Sequence, residues 1–105
     1  MSETDKGNLL SIFKARMHIF HGSEDENLQQ ILDSSTNEIK RLTGSGDTTI
    51  SGIQELVLER SRYVYNDAAE FFEDNFQAQI IGVSAEINIK GDDSDADSLS
   101  ASSNN

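Results

Sequence analysis

Cysteine, proline and tryptophan are absent from this 105-residue chain. Without Cys there can be no disulfide, iron–sulfur centre, zinc ribbon or thiol nucleophile. Without Pro nothing forces a kink, so long uninterrupted helices are permitted. Cations are scarce: 8 Lys and Arg stand against 19 Asp and Glu, for a formal net charge of −11. Holding nucleic acid by its phosphates needs clustered Lys and Arg, which argues against that class of function. No apolar run approaches the ~18 residues needed to cross a membrane. The opening MSETDKGN has neither a basic stretch nor an apolar one behind it, so no secretory signal is expected. What is left is a small acidic chain, expected to be soluble and made in the cytoplasm.

The charge is uneven. Residues 91–105 (GDDSDADSLSASSNN) hold four Asp, no Lys or Arg, and one large apolar side chain, Leu99. Taking those four from the 19 acidic residues leaves 15 against 8 basic, a body charge of −7. Such a segment buries too little apolar area to offset its ordering entropy, so it reads as an acidic tail. The expected division is an N-terminal extension over 1–7, a helical domain over 8–81, an extended arm over 82–90, and the tail.

Within the body the apolar spacing is helical. Leu9, Leu10, Phe13, Met17 and Phe20 predict a first helix from an Asn8 cap to about Phe20, stopped by His21-Gly22. Ser23 and Glu26 form a capping-box pattern before a second helix carrying Leu28, Ile31, Leu32, Ile39 and Leu42 on one face. Gly44 closes it, and the short connection makes the two helices antiparallel. Ser51 and Gln54 repeat the box at the start of a third helix with Ile53, Leu56, Val57, Val64, Ala68, Phe71, Phe72 and Phe76. Unbroken from Ser51 to Ala78 it would measure ~42 Å and outrun its partners. After Gly82 the period changes to two. Val83, Ala85, Ile87 and Ile89 alternate with polar residues, the pattern of a strand that must dock elsewhere. The fold expected is all-α: a small antiparallel bundle of three or four helices with one long helix, a C-terminal extended or β arm, and the acidic tail.

Candidate chemistry is thin. His18 and His21, with Glu24 or Asp25, have a spacing compatible with a metal, but a pair of exposed imidazoles at a helix end explains them better. Glu70 and Glu73 form one acidic pair on the third helix, where a Mg²⁺-dependent nucleotide pyrophosphatase wants two such pairs. The 44–46 glycines lack the Lys-Ser/Thr of a phosphate-binding loop. No catalytic residue, metal or cofactor is assigned, and an enzyme is not expected. Arg60 and Arg62, beside Tyr63 and Tyr65, suit a protein–protein contact. Equally, the arginines suit ion pairs with Glu55 and Glu59 within the helix.

Two stretches resemble a known family. LLSIFKARMHIFHGSEDENLQQIL (9–32) and ELVLERSRYVYNDAAEFFEDNF (55–76) look like the head–tail connector, or adaptor, proteins of tailed bacteriophages, a likeness covering about residues 8–81. The resemblance implies a non-enzymatic virion protein forming a ring of about a dozen copies under the portal protein. Such a ring extends the DNA exit channel, lets DNA pass without specific binding, and receives a neck or stopper protein. It also implies location at the head–tail interface of the virion after synthesis in the host cytoplasm. On this reading Arg60, Arg62, Tyr63 and Tyr65 are candidates for contact between copies. Glu24, Asp25, Glu26, Asp33, Glu55, Glu70, Glu73 and Asp74 are candidates for the channel wall. Val83, Ala85, Ile87 and Ile89 would form a docking strand. The rival class is a stand-alone acidic module, such as a DNA mimic.

Overall fold

The computed structural model describes residues 3–99, with side chains over 8–89. Five helices follow one another: α1 (Glu3–Met17), α2 (Asp25–Thr43), α3 (Ser51–Tyr65), the single turn α4 (Phe72–Asn75) and α5 (Gln77–Leu99). A 3₁₀ turn, Ala69–Phe71, leads into α4. Among the described residues there is no strand. The all-α expectation holds, although several boundaries differ from those read in the sequence.

α2 and α3 form the centre. Leu28, Leu32, Ser35, Ile39 and Thr43 recur at intervals of three and four and are all buried on α2. Facing them on α3 are Ile53, Leu56, Val57, Leu58 and Ser61. Leu9 and Phe13 of α1, Ile19 of the α1–α2 connection, Phe72 of α4 and Ile80 of α5 complete the core. Ser35 and Ser61 are fully buried. Their small side chains mark the packed face between the two central helices, where Arg60 Nη1 donates to Ser35 Oγ at 3.1 Å.

Helix ends depart from expectation for identifiable reasons. α1 begins before Asn8 and stops at Met17, because His18 takes a left-handed conformation (φ 59°) and Ile19 N–H donates to Lys14 O at 2.9 Å. That bond pattern is a Schellman cap with His in the place usually held by Gly. The end expected at about Phe20, before His21-Gly22, is thus three residues late. The Ser23–Glu26 capping box does not form: Ser23 Oγ pairs with His21 Nδ1 at 2.8 Å, and α2 opens at Asp25 without a side-chain cap. Nor does Ser51 cap α3, which starts after an extended Ile50. Asp47 instead organises the preceding turn, accepting from the Thr49 amide (3.0 Å) and hydroxyl (2.6 Å), and those donors lower its pKa. Gly44 does close α2, at φ 96°, its N–H donating to Lys40 O.

The long third helix is broken. α3 ends at Tyr65, Asp67 is left-handed (φ 61°), and Ala68 N–H donates to Tyr63 O at 2.8 Å, a second Schellman cap. The chain then folds back so that Phe72 and Phe76 pack on Tyr63. Ring centroids lie 5.7 Å and 5.6 Å from Tyr63, and the two Phe rings stack at 4.9 Å. Aromatic burial outweighs the continuation of one helix.

The segment read as a strand is helical. Residues 82–89 belong to α5, where Ile80, Val83, Ser84 and Ile87 share the inward side. Val83 and Ile87 satisfy a period of two and a helical stripe equally well, and a core face within reach selects the helix. α5 passes close over the start of α3 at Gly52. Of the acidic tail, residues 100–105 lie outside the described residues and 91–99 are described by backbone alone. The whole is a thin body of 53 × 31 × 16 Å.

Candidate functional site

The four contact candidates on α3 are occupied within the chain. Arg60 reaches across to Ser35. Arg62 donates to Glu59 Oε1 from Nε (3.1 Å) and Nη2 (2.8 Å), and its guanidinium stands 5.2 Å from the Tyr63 ring centroid. Tyr63 anchors the Phe72–Phe76 cluster while its hydroxyl accepts from Asn75 Nδ2 at 3.0 Å. Tyr65 donates to the Glu24 carboxylate at 3.2 Å, tying the end of α3 to the start of α2. Burial of the Tyr65 hydroxyl and the adjoining carboxylate both raise its pKa. All four are half-buried.

Glu59 is the electrostatic hub. Burial pushes its carboxyl up, but hydrogen bonds from Arg62 and Arg16 outweigh this and hold it below the ordinary range. Arg16 of α1 spans both acids of α3, with Nη1 at 2.9 Å from Glu55 and 2.9 Å from Glu59. Lys14 meets Asp25 at 2.6 Å, and Arg41 pairs with Glu38. The intrahelical-pair reading of Arg62 is therefore realised, joined by a cation from α1 that spacing along α3 gave no means of seeing.

These pairs sort the acidic candidates. Glu24, Asp25 and Glu55 are engaged by Tyr65, Lys14 and Arg16. Glu26, Asp33, Glu70, Glu73 and Asp74 are exposed and make no ion pair among the described residues, Asp33 accepting only from Gln29. Glu70 and Glu73 flank the 3₁₀ turn and α4 rather than one long helix. No group of three His, Asp or Glu among the described residues is placed to hold a metal.

Exposed large apolar side chains are the feature the sequence concealed. Phe20 is 83% exposed, Phe71 56%, and Ile81 and Ile89 60% each. By spacing, Phe20 and Phe71 fit apolar helix stripes. Phe20 falls past the His18 cap and is carried out of the core. Phe71 precedes Phe72, and on a turn two adjacent rings cannot both face inward. On α5 the docking-strand candidates divide: Val83 and Ile87 pack on the core while Ala85 and Ile89 face out. A polar hollow of about 530 Å³ also lies between α2 and the following loop, lined by Thr36, Asn37, Lys40 and Asp47 among others.

No family model, curated protein or solved structure matches this chain. No described helix is long and apolar enough to cross a membrane.

Proposed function

We propose that the chain is a structural subunit that works by assembling, and specifically a head–tail connector of a tailed bacteriophage. In this reading copies form a ring beneath the portal protein, lengthen the DNA channel, and present a platform to a neck or stopper protein. The chain performs no catalysis. One observation carries the reading: a small, thin, strongly acidic helical body leaves large apolar side chains outside at two separate places, its α1–α3 end and the back of α5. Apolar residues rimmed by charge suit partner contacts. The resemblance of residues 9–32 and 55–76 to the connector family names the partners.

A negative channel wall lets DNA slide because repulsion acts over about a Debye length, ~8 Å at physiological salt. Glu26, Asp33, Glu70, Glu73 and Asp74, free of ion pairs, suit that wall better than Glu24, Asp25 and Glu55, which are engaged. A DNA mimic would also be acidic, but it has no use for Phe20, Phe71, Ile81 and Ile89 on its surface.

Electron microscopy of the chain mixed with a portal protein from the same virus tests the reading. A ring of the chain seated on the portal's exit face is expected. A portal that stays bare at saturating concentration, while the chain inhibits a DNA-binding enzyme, would overturn it in favour of the mimic.

A further inference from the structure

The four exposed apolar side chains occupy two surfaces. Phe20 sits in the α1–α2 connection and Phe71 just beyond α3. The Tyr65–Glu24 hydrogen bond joins the end of α3 to the start of α2, so both phenylalanines belong to one end of the bundle. The second surface is the back of α5. At 100° per residue, Ala78, Gly82, Ala85 and Ile89 point directly away from the buried side of Ile80, Val83 and Ile87, with Ile81 alongside. All five are exposed. No heavy atom stands within 4 Å of where a Cβ on Gly82 would be. α5 runs from the Tyr63 cluster toward Gly52, so its outer face leads away from the phenylalanine end.

We propose that these two surfaces are complementary halves of one contact: the back of α5 in one copy receives Phe20 and Phe71 of the next copy. The occupant is a second copy of this chain for two reasons. The first is charge. Residues 77–89 carry a single charged side chain, Glu86, in a chain of net charge −11. Around Phe20, residues 18–23 contain no acid, whereas Phe71 lies beside the exposed acids Glu70, Glu73 and Asp74. Two phenylalanine ends set face to face would oppose those acids, whereas the near-neutral back of α5 lets a like-charged copy approach.

The second reason is area. At ~150–250 Å² for a whole aromatic side chain, Phe20 and Phe71 together offer ~300 Å². A stable interface covers about 800 Å² per partner, a little over half of it apolar. A two-fold dimer through the phenylalanines alone would leave the back of α5 in water. A two-fold dimer through α5 alone would also leave both phenylalanines in water. Head-to-tail contact covers all four residues, gives every internal copy two contacts, and is the kind of interface that closes into rings. Closure into a ring rests on the connector reading; the contact between the two surfaces does not.

The contact is apolar between like-charged chains, so salt should strengthen it by screening the repulsion. The full chain is to be followed by analytical ultracentrifugation over rising concentration at low and high salt. Two variants lack one surface each: Ile81→Glu with Ile89→Glu, and Phe20→Ser with Phe71→Ser. Wild type is expected to grow beyond the monomer, more so at high salt, and each variant to stay monomeric with unchanged helical circular dichroism. Mixing the variants is decisive, because each retains the surface the other lost. A 1:1 pair that grows no further is the expected result. A mixture that remains monomeric while wild type assembles would overturn the head-to-tail pairing. So would variants that assemble like wild type, or a wild type monomeric under every condition. Open chains without closed rings would support the contact and count against the connector reading, which the portal experiment tests on its own.

Discussion

Gly52 of α3 and Val83 of α5 touch where the two helices cross: a Cβ on Gly52 would stand 2.9 Å from a Val83 methyl carbon. Ala at this position would gain up to ~1 kcal/mol of helix propensity in an open site. Overpacking costs ~1–3 kcal/mol, and here it should win. Gly52→Ala is therefore expected to destabilise by ~1 kcal/mol. Adding Val83→Ala should recover most of that loss, since the methyl removed is the one struck. Urea unfolding of the two single variants and the double reads the coupling directly. A higher midpoint for Gly52→Ala alone would mean that α5 is not seated on α3.

That crossing also shows why α5 escaped a reading of the sequence. Val83, Ala85, Ile87 and Ile89 alternate cleanly, and β-branched residues in alternation argue for a strand. Nothing in residues 82–89 alone reveals that Gly52, 31 residues earlier, offers a seat for Val83. The end of α3 was hidden differently. Asn66-Asp67 tolerates the left-handed conformation, yet without Gly or Pro it reads as polar helix surface. α2 is legible in its core face and its stop, because Leu28, Leu32 and Ile39 are periodic and Gly44 marks the end, but not in its cap. Of the candidate surfaces, the Arg62–Glu59 pair is legible in helical spacing, but the partners of Arg60, Tyr63 and Tyr65 are not: Ser35, Asn75 and Glu24 come from other elements. The outward Phe20 and Phe71 could be found only once the caps at His18 and Asp67 were known.

Asp67 holds the second of those caps at φ 61°. A left-handed conformation costs an ordinary residue roughly 1–2 kcal/mol, and a β-branched one most of all. Asp67→Val is expected to destabilise by ~1–2 kcal/mol, and Asp67→Gly to be neutral or stabilising by up to ~1 kcal/mol. Thermal unfolding followed by circular dichroism orders the three proteins. Equal stability of Val and Gly variants would show that the break after Tyr65 does not depend on this residue.

Glu59 makes stability depend on acidity with a definite sign. Its burial is outweighed by donors from Arg62 and Arg16, so its folded pKa lies below its unfolded value of about 4.3. The folded state then binds fewer protons, and stability rises with pH. The contribution is complete above the unfolded value and is lost as pH falls through the folded one. Glu59→Gln should cost ~1 kcal/mol at neutral pH, the upper range for a partly exposed pair. The gap to wild type should narrow as pH drops below about 4.3. Urea titrations at neutral pH and at successively lower values measure it. A gap constant from neutral to acid would show that the ionised carboxylate contributes nothing.

The packed face of α2 and α3 carries one hydroxyl too many. Ser35 and Ser61 are both fully buried, but only Ser35 has a use, accepting from Arg60 at 3.1 Å. Ser61 Oγ is buried without a hydrogen-bond partner. A hydroxyl stripped of water and left unpaired costs ~1–3 kcal/mol, and removing it leaves the Cβ contact intact. Ser61→Ala is thus expected to stabilise the protein by ~1 kcal/mol, raising the urea midpoint at unchanged slope. Ser35→Ala has the opposite sign, because it takes the acceptor from Arg60 and leaves a guanidinium N–H unsatisfied; a loss of ~1 kcal/mol is expected. Ser61→Val separates hydroxyl chemistry from volume: at so tight an approach its extra methyl should cost more than the lost hydroxyl gains. If Ser61→Ala instead destabilised as much as Ser35→Ala, the hydroxyl would have to be paired, and the two helices would be held by both serines rather than one.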